Sequence, residues 1–99
     1  MITADDIIKK YTKLPQFVES VYDYGDYLSP VIINVDNVEV PDIGLPLFVN
    51  KQTGEEKREL MQGKYKIIIN PEREKYRERL NAYSMAKYKV PYNFPSEEE

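Results

Sequence analysis

The chain contains no cysteine and no histidine, and these two gaps exclude a good deal of chemistry. Without cysteine there is no disulfide, and without either residue there is no ordinary zinc site. The missing histidine also removes the commonest general base, so Ser20, Ser29, Ser84 and Ser96 have no triad partner. The four glycines are scattered and build neither a GxGxxG nor a GxxxxGKS/T phosphate loop. Paired carboxylates at Asp5/Asp6, Asp23/Asp26 and Glu55/Glu56 fit helix starts and turns, with nothing converging on them as on an acid–base pair. Nine tyrosines offer phenols, but the pattern singles none of them out as acid or nucleophile. A non-enzymatic protein with no catalytic residue, no metal and no cofactor is therefore expected. No apolar run approaches membrane-spanning length, and Asp5 and Asp6 are out of place in a signal-peptide start. The expectation is a soluble, cytoplasmic protein with no membrane partner.

What is present is organised around Lys64-Tyr65-Lys66-Ile67-Ile68-Ile69-Asn70-Pro71. The β-branched isoleucines suit a pleated surface. Asn70 is a good N-cap, and Pro71 suits the first helical position because its missing N–H has no helical partner to lose. Glu72 and Glu74 complement the helix dipole, and Tyr76, Leu80, Tyr83 and Val90 form a stripe. Lys87 and Lys89 fit the last turn, and Pro91 ends the pattern. A helix over residues 71–90 is predicted.

Upstream, Thr3-Ala4-Asp5-Asp6 resembles a capping box and opens a helix over residues 4–13. Pro15 then opens a second helix in which Phe17, Val21 and Tyr24 share a stripe, closed by Gly25. Residues 31–40 read as a hairpin turning at Asp36-Asn37, with Ile33, Val35, Val38 and Val40 on one face. Turns at Thr53-Gly54 and Gln62-Gly63 would make a three-stranded meander. Leu47, Val49, Leu60, Tyr65, Ile67 and Ile69 then lie on its apolar face, and Glu59 lies across from Lys66. A helix over 55–62 competes, since Thr53-Gly54-Glu55-Glu56 also fits a capping box and Gly63 a C-cap. The resulting fold class is α+β: an antiparallel sheet of about five short strands, packed by a long C-terminal helix and two short N-terminal helices. Residues 1–90 form one domain, and residues 91–99 an extended Pro/aromatic arm with an acidic tail.

Charge is divided along the chain. Residues 1–50 hold three lysines against eight carboxylates, a formal −5, and residues 51–90 hold eleven Lys and Arg against six Glu, a formal +5. Two partner classes follow. The basic half, interleaved with tyrosine, suits weak binding of DNA or RNA. Its residues are Lys64 and Lys66 on the polar strand face, Arg73 and Arg77 one helical turn apart, and Tyr88 off the apolar stripe. Alternatively the two halves pair with each other between molecules, in a homo-oligomer or with a protein partner. Tyr92 and Phe94, held extended by Pro91 and Pro95, either pack on the body or dock a partner.

Two resemblances accompany these patterns. KYKIIINPEREKYRERLNAYSMAKY resembles the strand–Asn–Arg–helix region of the ImmA/IrrE-type metallopeptidases, whose helix carries HExxH. Here the matching positions read Ala82-Tyr83-Ser84-Met85-Ala86, so both ligands and the base are gone and a catalytically dead relative is implied. The Ile-, Lys- and Tyr-rich texture of LFVNKQTGEEKRELMQGKYKIIINPEREKYRERL is similar to small orphan proteins of filamentous viruses infecting hyperthermophilic archaea. That implies a virus-encoded interaction or regulatory protein, in the host cytoplasm or the virion. A charged fraction of 31% with no cysteine agrees with a thermostable chain tolerant of heat and acid.

Overall fold

Thr3 starts the first regular element as its sequence suggests. Its hydroxyl accepts from the Asp6 amide, the Asp6 carboxylate accepts from the Thr3 amide, and helix α1 follows over Ala4–Tyr11. The computed structural model describes residues 1–38 and 45–95. After α1 come strands β1 (Gln16–Asp23), β2 (Tyr27–Asn34), β3 (Leu47–Asn50), β4 (Glu56–Arg58) and β5 (Lys66–Ile69). A 3-10 turn (Arg73–Tyr76) and helix α2 (Arg77–Tyr88) complete the described elements. The strands form one antiparallel sheet in the order β4-β3-β2-β1-β5. The α+β class and the five-stranded antiparallel sheet are thus present.

The second N-terminal helix is not. Leu14–Pro15 is a cis peptide, and the segment from Gln16 is the interior strand β1, between β2 and β5. Its apolar residues do not form a helical stripe. Phe17 packs with Ile33, Val35, Leu80 and Phe94, whereas Val21 packs with Ile7, Val18, Leu28 and Val49 under α1. A register shift between Val18 and Ser20 breaks the two-residue alternation, so Val18 and Val21, three apart, reach the same cluster. A bulged strand therefore imitates helical spacing.

β5 also has a different neighbour from the one expected. It pairs with β1, Ser20 opposite Ile69 and Asp23 opposite Lys66, so the chain crosses the sheet after β4 and the meander ends at β4. Glu59 accordingly pairs with Lys57 at 2.9 Å rather than facing Lys66. Of the expected apolar face, Val49 is buried, but Leu60 is 77% exposed and Tyr65 and Ile69 are nearly half exposed. Residues 56–58 are strand, not helix. The β3–β4 turn is closed by Asn50, whose side chain accepts from the Gln52 and Thr53 amides, and by Gly54 at φ 77°, a conformation that disfavours a side chain.

Asn34 repeats this device after β2, accepting from the Asp36 and Asn37 amides. The turn falls one residue earlier than expected: the Asn37 amide donates to the Asn34 carbonyl at 3.3 Å, which places Val35 and Asp36 at its centre, and Val35 is buried. Val38 follows that turn and is not in a strand, and the rest of the expected returning strand lies outside the described residues.

The C-terminal helix is shorter than expected and begins differently. Asn70 caps Glu72 through its side-chain oxygen, but the Arg73 amide reaches back three residues to the Asn70 carbonyl, which tightens the first turn to 3-10 pitch. Helical structure spans Arg73–Tyr88, and Lys89 closes it in the left-handed region at φ 63°. Leu80 is buried and Tyr76 stacks on Phe17 at 4.3 Å, while Val90 falls beyond the helix and is half exposed.

Candidate nucleic-acid interface

Three chain segments meet at one end of the sheet. The β1–β2 turn brings Tyr24 and Gly25, the start of the β3–β4 turn brings Lys51, and the approach to β5 brings Lys64 and Tyr65. Together with Asp23 and Lys66 they line an open cleft of about 360 Å³. Hydrogen bonds fix the turns. Tyr24 donates its amide to the Tyr27 carbonyl at 2.9 Å, Gly25 donates to Asp23 Oδ1 at 2.8 Å, and Lys51 donates its amide to the Asp26 carbonyl at 3.1 Å. Gly25 sits at φ 96° with open space where a Cβ would be.

The cleft is positive and aromatic. Three lysines stand against one aspartate, and Asp23 is occupied by Lys51 at 2.8 Å. The Lys51 ammonium, and then the Gly25 amide, hold the Asp23 carboxyl below the ordinary Asp range, so it is ionised at neutral pH. Lys64 and Lys66 are exposed and form no salt bridge among the described residues. Tyr65 lies parallel on Tyr22 at 4.7 Å and meets Tyr24 at 5.2 Å, and Tyr24 in turn meets Phe48 edge-on. Burial, and secondarily Tyr65, raises the Tyr24 phenol, which therefore stays protonated and able to donate. Tyr65 remains 47% exposed above this rigid stack.

The other residues expected in a basic patch lie elsewhere. Arg73 is buried, and its guanidinium is ion-paired with the fully buried Glu19 of β1. Arg77 holds Glu74 through two hydrogen bonds, at 2.6 and 2.9 Å. The two arginines do share a face, but that face carries Phe94, whose ring centroid lies 4.5 Å and 4.6 Å from their guanidinium carbons. They clamp the C-terminal arm instead of straddling phosphates. Lys66 stands at the far end of β5 from Asn70, about 13 Å away along the strand. Tyr88 lines a separate depression of about 540 Å³ with Val38, Ser84, Val90, Pro91, Tyr92 and Asn93. Phe94 is fully buried, and Tyr92 is half-buried with its amide on Asn81. The arm therefore packs on the body, and Phe94 is not exposed for docking.

Sequence reading missed Tyr22, Tyr24 and Lys51. The Asp23-Tyr24-Gly25-Asp26 string carries a turn signal, but a helix opened by Pro15 and closed by Gly25 accounts for the same residues. The two oppositely charged halves also meet within one chain, through Glu19–Arg73, Asp23–Lys51 and Asp36–Arg79. Among the described residues there is no cluster of three or more acidic side chains placed to hold a metal, and no helix long and apolar enough to cross a membrane. In comparisons with known proteins, no family model, no curated protein and no solved structure matches this chain.

Proposed function

We propose that the protein is a non-enzymatic module that binds single-stranded nucleic acid weakly at the Lys64–Tyr65–Lys66 cleft. The observation that carries this reading is the half-exposed Tyr65 ring, backed by Tyr22 and Tyr24 and flanked by two lysines that form no salt bridge among the described residues. Bases of any sequence stack on aromatic rings, and lysines beside the ring neutralise phosphates. An unpaired strand suits the site better than a duplex, because stacking requires a base out of its helix. The archaeal-virus resemblance supplies the setting for this reading, a virus-encoded protein in the host cytoplasm or the virion.

The cleft accommodates little more than one nucleotide, and the other carboxylates of the chain oppose a polyanion. The dissociation constant should be no tighter than about micromolar at physiological salt. Fluorescence anisotropy of labelled DNA and RNA oligonucleotides against salt tests this. Two or three neutralised phosphates predict a slope of log K on log salt of about −1.4 to −2.1 for single strands. Changing Lys64 and Lys66 to Ala should flatten that slope for every sequence, and Tyr65→Ala should weaken binding by about 5- to 150-fold. Arg77→Ala should leave the slope unchanged. Absence of salt-sensitive binding at low ionic strength would overturn the reading.

A further inference from the structure

The outer edge of β5, which runs on from the cleft, carries a second signal. β5 ends the strand order, so among the described residues no strand pairs with its outer side. The phase of its hydrogen bonds follows from Asn70, whose amide donates to the Glu19 carbonyl at 3.0 Å, in register with Ser20 opposite Ile69. Antiparallel residues alternate in sending both backbone polar groups to one side or the other. Asn70, Ile68 and Lys66 therefore point toward β1, and Ile67 and Ile69 present their N–H and C=O groups to the open edge. The side chains there are apolar, with Ile68 36% and Ile69 44% exposed. Edge strands are commonly blunted by charge or proline, but here Lys66 and Pro71 flank the isoleucines without interrupting them.

We infer that two copies of this chain pair antiparallel through their β5 edges, with Ile68 opposite Ile68 of the second copy, to form one continuous ten-stranded sheet. In that register Ile67 and Ile69 of each copy exchange backbone hydrogen bonds with Ile69 and Ile67 of the other. Ile68 meets its counterpart at a non-hydrogen-bonded position, where side chains approach closest. Pro71 falls opposite Tyr65 and, having no N–H, ends the ladder. The Ile67-centred register would instead pair Ile69 with Tyr65, outside β5, and the Ile69-centred register would pair Ile67 with Pro71, which has no N–H. Backbone hydrogen bonding therefore selects the Ile68-centred pairing, which joins the two outward-facing isoleucines of each copy within the strand.

Because the chain has no cysteine, single cysteines report the register directly. Opposed Cα atoms at a non-hydrogen-bonded pair lie about 4.5 Å apart, within disulfide reach. In Ile67→Cys the two sulfur-bearing residues are offset along the strands, beyond the roughly 7 Å limit. Under oxidised glutathione, Ile68→Cys should become a covalent dimer and Ile67→Cys should stay largely monomeric. Sedimentation of the unmodified protein should give twice the 11.7 kDa of one chain at high concentration, and Ile69→Lys should abolish that species. A monomer mass at every concentration, or equal cross-linking of the two cysteine variants, would overturn the inference. If Ile69→Lys does not fold, the cysteine pair and the mass of the unmodified protein still decide it.

Discussion

Arg73, in the turn that opens into α2, is ion-paired with Glu19 in the middle of β1, and both side chains are buried. The same guanidinium lies 4.5 Å from the Phe94 ring. One side chain therefore ties the start of the helix to the sheet and the C-terminal arm to the helix. Asn70 supports the junction by donating its side-chain amide to the Val18 carbonyl at 2.8 Å. Charge that looks like a ligand-binding signal in the sequence serves here to hold the fold together.

Removing one member of this pair should cost far more than removing both. Arg73→Ala leaves the Glu19 carboxylate buried and uncompensated, a loss of about 3–5 kcal/mol. Replacing the pair together, Glu19→Gln with Arg73→Met, should recover much of that. Urea denaturation of the three proteins checks it, and a cost below about 1 kcal/mol for Arg73→Ala would show the pair to be unimportant.

The arm should contribute to stability through Phe94. The side chain is fully buried against Phe17, Ile33, Val35 and Leu80, so Phe94→Ala should destabilise by about 3–5 kcal/mol. Deleting residues 91–99 should lower the melting midpoint as well. An unchanged midpoint in both variants would mean that the arm is not packed in solution.

Acid should remove a defined part of the stability. The Thr3 amide and then the Thr3 hydroxyl lower the Asp6 carboxyl, Lys51 and then the Gly25 amide lower Asp23, and Arg77 lowers Glu74. A carboxyl whose folded pKa lies below its unfolded value stabilises the fold above the unfolded value. That contribution fades as pH falls below about 4 and through the lower folded value. Asp6→Asn and Asp23→Asn should each reduce stability at pH 7 and flatten its decline as pH falls below about 4. Chemical denaturation across that range checks the slope. Thr3→Ala should cost about 1 kcal/mol by removing the cap hydroxyl.

Several features of this protein were determined by its sequence alone, and all of them are local. The Thr3/Asp6 box, the Asn50-to-Gly54 turn, the strand at Ile67–Ile69 and the helical stripe through Tyr76 and Leu80 depend on residues within a few positions of one another. Tertiary structure decided the rest. β1 imitates a helix because its bulge resets the alternation, and only its two neighbours, β2 and β5, show it to be an interior strand of the sheet. Without β1 as a strand, sequence order offers β4 as the neighbour of β5, whereas in the fold the two lie at opposite edges of the sheet. The candidate site depends on the same pairing. Tyr22, Tyr24, Lys51 and Tyr65 are far apart in sequence and meet because β5 lies against β1 and two turns close at the same end of the sheet. Whether a basic residue faces solvent or a buried carboxylate also depends on residues distant in sequence. Lys64 and Lys66 stayed at the surface, whereas Arg73 met Glu19 from 54 positions away and became part of the core.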